Sequence, residues 1–531
     1  MESKNLILAF ALSMAVLMGW SWLFPPQQPV QVQNDAQTQA ITQNSTDMQT
    51  QSSAAPAQVT ASKSNDGGDV TNKVISNNII STFGNDVLDL SLNAKGWLAD
   101  ATLSEYQLSL DDATKVQMLT TGEFHEAYVN SGVQGKKLTQ PFKLISNTRS
   151  AEQTVIVFEG MLDNNYVWRR TYSLNQGSYL INVKDRLIGG AGLKLYRQVV
   201  NKNPLASGVD TFNEHIGPIG LFQDKLTEVS YADLDETGPQ KLAAMGGWTG
   251  MMSRYFITAI YGNDQTENYR YYYQGDGRTY QAGLINDGTV EQGDMVFDDN
   301  IYVGPKSSPI LKKAGVELER SVDFGWFAFI AKPLHDVLLW LHQYISNFGV
   351  IIILMVIAIK AILFIPTQSA YRSMAAMRKL QPEMVRLKDR YGDDRAKMGQ
   401  EVMGLYKKNK VNPLGGCLPI LMQMPIFFAL YKVLLISIEL RQSPFYGWIE
   451  DMSVQDPFFV LPILMGISMY IQMQLNPQPT DPIQAKVMQF LPIMMTALFL
   501  FFPAGLVLYW VVNNVLSIIQ QRLVMKSMNV D

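Results

Sequence analysis

Apolar residues are distributed unevenly along this chain, and the pattern divides it into parts. An apolar run from Leu6 to Phe24 ends in Trp20, Trp22 and Phe24 and is followed by Pro25-Pro26. Tryptophans at the end of a span suit the membrane interface, and no small-x-small cleavage site follows. Residues 1–24 therefore predict an uncleaved first transmembrane helix with a cytoplasmic N-terminus. Residues 25–70, rich in Gln, Asn, Thr, Ser and Ala, cannot bury a core and read as a disordered tether. Over 71–325 the period becomes two. Tyr179, Ile181 and Val183 alternate with Asn182, Lys184 and Arg186, the mark of a half-buried strand. Val155–Phe158 and Tyr271–Tyr273 are β-prone runs, the latter closed by Gly275-Asp276-Gly277. The expectation is one large β-sandwich.

Beyond residue 325 the chain is dominated by apolar segments. Residues 326–344 mix Trp326, Phe327, Phe329 and Trp340 with Lys332, His335 and Asp336, and predict an amphipathic helix lying in a membrane interface. Apolar stretches at 345–367, 414–438, 458–473, 487–502 and 503–525 predict five further spans, with Pro503-Ala504-Gly505 dividing the last two. Residues 526–531 form a short tail. Three spans are short: sixteen helical residues reach about 24 Å against a hydrocarbon core of about 30 Å.

Charge orients this scheme. Residues 369–410 carry eleven Lys or Arg against five Asp or Glu, and such an excess in a short loop marks the cytoplasmic side. Met377, Leu380, Met384 and Leu387, then Met398, Val402 and Leu405, give helical periodicity on either side of Tyr391-Gly392-Asp393-Asp394. Residues 368–413 therefore predict a cytoplasmic helical hairpin whose first arm is kinked or restarted at Pro382. Loop 439–457 opposes Arg441 alone to four acids and lies outside, whereas loop 474–486 falls inside by alternation. The 25–325 region has 34 Asp or Glu against 24 Lys or Arg. The single cysteine, Cys417, excludes an internal disulfide and reads as inert. The four histidines show no metal-ligand spacing. No Walker A, GxSxG or HExxH motif is present. No cofactor, metal, catalytic residue or nucleic-acid sequence recognition is expected.

One residue breaks the apolar pattern of the 345–367 span: Lys360. Its side chain either snorkels to nearby headgroups or faces a hydrated protein interior, the usual place for an intramembrane charge. Lys432 in the next span reads as a snorkelling residue, and the methionines of the hairpin as packing between its helices.

The segments Asn412–Pro419, Gln423–Phe427, Gln455–Pro457, Leu461–Gly466 and Phe502–Trp510 resemble the YidC family of bacterial membrane protein insertases, with a specific match across 326–525. The anchor, the β domain and Gly246-Gly-Trp248 resemble its Gram-negative form. The resemblance implies a polytopic α-helical membrane protein with six transmembrane helices, a periplasmic β-supersandwich and a five-helix core. That core holds a groove open to cytoplasm and lipid. The implied location is the inner membrane of a Gram-negative bacterium, with both termini cytoplasmic. By position, Lys360 falls at the family's groove cation, often arginine. Gln423, Met424 and Pro425 fall on the groove side of the third span. Phe501, Tyr509 and Trp510 fall at substrate-contacting positions. Arg378, Lys379, Arg386, Lys388 and Arg390 belong to the recruitment hairpin. Implied partners are newly made membrane proteins, the Sec translocon, membrane lipids, and ribosomes or targeting factors, the last through the cytoplasmic loops because no long basic tail follows residue 525. Two alternatives remain open. A secondary transporter or channel would ordinarily show internal repeats, absent between 345–438 and 458–525. A membrane-anchored periplasmic carbohydrate enzyme leaves five spans unexplained.

Overall fold

A computed structural model describes residues 77–122, 125–204, 215–391, 394–412, 418–477 and 482–529. The expected first span and tether, and Cys417, lie outside the described residues. From Ile79 to Pro305 the chain builds two fully antiparallel sheets of nine and ten strands, whose inner faces share a continuous apolar core. The alternation expected around Tyr179 is the observed strand Leu180–Ile188, with Ile181, Val183 and Leu187 inside and Lys184 outside. Asp185 occupies an inward position too, which a reading by apolar residues alone does not anticipate. Two short helices, α1 (Tyr231–Thr237) and α2 (Ser308–Ala314), complete the domain. Ser230 and Asp233 form a reciprocal capping box at the start of α1.

The sheets meet in a buried ionic cluster. Asp185 accepts from Arg170 Nε at 2.6 Å, from Trp168 Nε1 at 2.6 Å and from Arg197 Nη2 at 2.7 Å. Arg197 also bonds Asp299 at 3.1 Å and Ser131 at 2.8 Å, and Asn286 donates to Asp299 at 2.8 Å. Burial pushes the Asp185 carboxyl up, but the two guanidinium groups outweigh that and hold it below the usual carboxylate range. At Asp299 burial wins and the carboxyl is raised. Two arginines against two aspartates leave the cluster formally neutral, the condition under which buried charge is tolerated.

Among the described residues nine helices follow: α3 (Ala328–His342), α4 (Phe348–Ile362), α5 (Phe364–Lys379), α6 (Gln381–Tyr391), α7 (Arg395–Lys408), α8 (Leu418–Ile436), α9 (Val460–Leu475), α10 (Pro482–Phe499) and α11 (Ala504–Ser527). Within the 326–344 segment, Phe329 and Trp340 of α3 and the flanking Trp326 and Tyr344 are exposed, whereas Ala331 and Leu338 of α3 are buried. Its His335 departs from that pattern. It is buried and packs against the Phe324 ring at 5.2 Å.

The boundary expected at 367/368 is displaced. Helix α4 stops at Ile362, and α5 leaves it at 70°. Pro366 explains the break: it has no N–H for the Ile362 carbonyl, and its ring collides with that carbonyl in a continuous helix. The basic segment is thus three helices, the second beginning one residue before Pro382. Asp394 caps α7 through the Lys397 amide at 3.0 Å, and α6 and α7 are tied by the Tyr406 hydroxyl donating to the Met384 sulfur at 3.3 Å. Helix α10 begins at Pro482, five residues before the expected 487, and α9 and α11 each run two residues past the expected ends.

Among the described residues, α11 alone is long and apolar enough to cross a membrane; the bent α4–α5 pair meets the same condition only jointly. Apolar helices at Leu421–Ile436, Val460–Leu475 and Lys486–Phe499 are shorter. The turn at Pro503 is held by loop 439–457: Ala504 N donates to Val454 O at 2.7 Å and Gly505 N to Met452 O at 3.0 Å. The same loop grips the β domain. Arg441 donates to the carbonyls of Gln107 and Leu108, and Gln442 to Gln107 at 3.0 Å.

Candidate functional site

Helix α11 organises the helical region through a polar stripe. Asn513, Asn514, Ser517, Gln520 and Gln521 are all buried, and their spacing of three and four places them along one side of the helix. Each reaches a different neighbour. Asn513 accepts from Gln423 Nε2 of α8 at 2.9 Å. Asn514 donates to Ser468 of α9 at 3.0 Å. Ser517 accepts from Lys360 Nζ of α4 at 2.6 Å. Gln520 donates to Thr367 of α5 at 3.1 Å, and Gln521 to Leu475 O and Asn476 Oδ1 at the end of α9, at 3.2 and 3.1 Å. A single buried hydrogen bond of this kind contributes about 1 kcal/mol; together the five residues tie α11 to four other helices and fix how the bundle closes. This stripe is the feature that the motif reading passed over. Its signal was present in the sequence as five amides and hydroxyls at helical spacing within an apolar run.

Two of the expected groove residues are joined through it. Gln423 bonds Asn513, Ser517 Oγ donates to the Asn513 carbonyl at 2.7 Å, and Lys360 donates to Ser517. Lys360 is only 8% exposed, so its ammonium is turned into the bundle rather than outward along the helix. Among the described residues no carboxylate pairs with it, and its one hydrogen bond is to a neutral hydroxyl. It also borders a cavity of about 320 Å³ walled by Phe364, Gln368, Ile519, Gln520 and Leu523.

The remaining expected groove residues do not line that cavity. Tyr509 is buried inside an aromatic cluster, its ring 6.4 Å from Phe427. Trp510 packs edge-on to Phe427 at 4.7 Å and against Phe499 at 5.3 Å. Phe501 stands 78% exposed at the α10–α11 turn. Met424 is exposed and Pro425 half-buried on α8. Of the five hairpin cations, Lys379, Arg386, Lys388 and Arg390 are exposed. Arg378 is turned inward toward Leu475 O at 3.4 Å, beside Gln521, so it helps close the end of α9. Among the described residues no cluster of His, Cys, Asp and Glu could hold a metal ion.

Two family profiles cover nearly all of the described chain: "YidC periplasmic domain" over residues 81–337 and "60Kd inner membrane protein" over 340–531. A membrane protein insertase YidC of Magnetococcus marinus is 36% identical over 556 aligned positions, covering 98% of each chain. The chain belongs to the YidC family of membrane protein insertases. The YidC of Saccharophagus degradans is 40% identical, over 84% of this chain and 83% of its own. An active YidC insertase crystal structure with its first transmembrane domain resolved aligns over 82% of this chain and 91% of its own, at 18% identity and a TM-score of 0.39. The β-sandwich is therefore the YidC periplasmic domain and the helical region the YidC core. The family matched over 340–531 is described as an inner membrane protein, which locates the polar stripe within a membrane protein.

Proposed function

We propose that this chain inserts newly made membrane proteins into a bacterial inner membrane, and that Lys360 receives acidic residues of the substrate on the way. The observation that carries the site reading is a buried cation bonded, among the described residues, to a neutral hydroxyl, at the end of a polar chain running to Gln423. One acidic residue taken to the centre of a bilayer costs about 3 kcal/mol on insertion scales, roughly a hundredfold in partition. A cation held away from bulk water offsets part of that, because charge pairing strengthens as the effective dielectric falls. The apolar part of the substrate then passes into lipid along α8 and α10, with Met424 and Phe501 offering exposed apolar contact. Tyr509 and Trp510 act in this reading as the packed wall behind that path. Lysine keeps the charge of the family's cation but loses the planar bidentate grip of arginine.

The same reading places six spans across the membrane: the N-terminal one, α4, α8, α9, α10 and α11. It puts both termini and the α6–α7 hairpin in the cytoplasm and the β domain in the periplasm. Exposed Lys379, Arg386, Lys388 and Arg390 suit recruitment of ribosomes or targeting factors, and the Sec translocon is a further partner. An impermeant thiol reagent applied to intact cells tests the orientation; labelling of a cysteine placed at 385–390 from outside refutes it. For the site, a matched pair of substrates differing only in tail Asp and Glu content is inserted by wild type and by Lys360→Ala at equal protein level. The acidic-tail substrate should lose at least tenfold in efficiency and the neutral one much less. Equal efficiency of both substrates in both backgrounds removes the charge-handling role.

A further inference from the structure

A second, larger cavity lies in the β domain, away from Lys360. It is about 840 Å³ and lies against the outer face of the nine-stranded sheet, with Tyr196, Gln198, Lys241, Arg270, Tyr272 and Gln281 among its walls. We propose that this face binds an oligosaccharide. The proposal is independent of the insertase reading.

The floor is built by strand register. Tyr196, on strand Leu195–Lys202, stands opposite Gly132 of strand Glu126–Val133. Tyr272, on strand Asn268–Gly275, stands opposite Gly283 of strand Thr279–Asn286. A Cβ at Gly132 would come within 2.4 Å of the Tyr196 hydroxyl, and one at Gly283 within 2.3 Å of the Tyr272 ring. Each tyrosine therefore lies down across a neighbouring glycine, where any other residue would push the ring up or aside. A ring in that posture turns one flat face to the backbone and the other to the cavity. Tyr196 and Tyr272 are two strands apart and two residues out of step, so their Cα atoms are about 12 Å apart by strand spacing. That is more than the width of one pyranose ring.

The polar groups complete the chemistry. The Tyr272 hydroxyl donates to Gln198 Oε1 at 2.6 Å, which orients the ring. Lys241 stands directly opposite Tyr272 on the far side and is exposed. Arg270 is held at the rim by Asp287 at 2.5 Å, and Gln274 and Gln281 add two more amides. A pyranose presents an apolar C–H face, which packs on an aromatic ring, and a circumference of hydroxyl groups, which take amide and ammonium donors. Both requirements are met here side by side. An extended peptide is a poorer match. Tyr196, Gln198, Tyr272 and Gln281 stand on interior strands whose backbone groups are already paired, and only the Lys241 side of the cavity lies on an edge strand, Gln240–Met245, so a strand added there would lie beside the aromatic floor and not on it.

The test uses the full chain in lipid nanodiscs prepared without alkyl-glycoside detergents, whose headgroups are themselves sugars. Maltotriose and triacetylchitotriose are titrated and followed by saturation-transfer NMR. At least one should bind with a dissociation constant below about 10 mM. Tyr196→Ala and Tyr272→Ala should each weaken it at least tenfold, while Tyr272→Phe, which keeps the flat face, should stay within threefold. Gln274→Trp, an exposed position on the same face, should fill the cavity and abolish binding without touching the core; it decides the matter if an alanine variant fails to fold. Absence of binding by both sugars overturns the proposal, and so does binding that survives Gln274→Trp.

Discussion

Two of the places where this chain buries cations treat them in opposite ways. Between the sheets, Arg170 and Arg197 meet Asp185 and Asp299 in a cluster where each charge has an opposite charge within 3.1 Å. In the helical bundle, Lys360 is nearly as buried and has a serine hydroxyl. The first arrangement satisfies the rule for a folded core, since removing charge from water is tolerated when the partner comes too. The second leaves the positive charge uncompensated among the described residues. A fold-stabilising role explains the cluster and does not explain Lys360. Its position makes sense if the compensating charge arrives with something else.

The comparison can be broken most directly at Arg197. Arg197→Met leaves Asp299 buried without a cation and Asp185 with Arg170 alone, and should destabilise the β domain by about 3–5 kcal/mol, read from its denaturant midpoint in the full chain. A loss below about 1 kcal/mol would mean that the cluster is not fully desolvated and that the contrast is false.

Between the two regions sits a third group, His335 on α3, and it gives the next largest effect. Burial pushes its pKa down from 6.5 to about 4, so the unfolded chain takes up the proton first. Its stabilising contribution is complete above pH 6.5 and is lost as pH falls toward 4, by about 3 kcal/mol in total. His335→Phe, which keeps the contact with Phe324, should flatten the pH dependence of the unfolding midpoint between pH 7 and pH 4.5. An unchanged slope assigns the dependence to the carboxylates instead.

At Lys360 the expected signs diverge. Lys360→Met should leave the unfolding midpoint unchanged or raise it, since a charge is removed from an apolar setting, while insertion of an acidic-tail substrate falls at least tenfold. A stability loss comparable to that of Arg197→Met would make Lys360 a structural residue. The smallest effect belongs to Ser517. Ser517→Ala frees the ammonium and should lower acidic-tail insertion about threefold, with Ser517→Thr restoring it; the loss of one neutral partner is worth about 1 kcal/mol. Equal behaviour of the alanine and threonine variants would show that Ser517 does not position Lys360.

Much of this was legible beforehand, and the misses share a cause. The strand at Leu180–Ile188 follows from alternation, and the turn at Pro503 from a proline dividing two apolar runs. Both depend on neighbours a few residues away. The position of the α4–α5 break was only half legible. Pro366 announces it, but the carbonyl it disrupts lies four residues upstream, so the bend falls at Leu363. The burial of Tyr509 and the inward turn of Arg378 were not legible, because aromatic and basic side chains look alike whether they face a partner helix or a solvent-filled path.

The sequence by itself determined the division into a β domain and an apolar helical region, the helix-breaking positions, and the presence of Lys360 in an apolar segment. These are consequences of local periodicity, turn chemistry and hydropathy, which act over one or two turns of chain. Only the tertiary structure decided that Lys360 meets Ser517, 157 positions away, and that Gln423 joins the same chain through Asn513. It likewise decided that Asp185 is matched by arginines from two other strands. A buried polar group is satisfied by whatever the packing brings within about 3 Å, and that choice is made by the closure of the whole fold, not by the residues beside it in the chain.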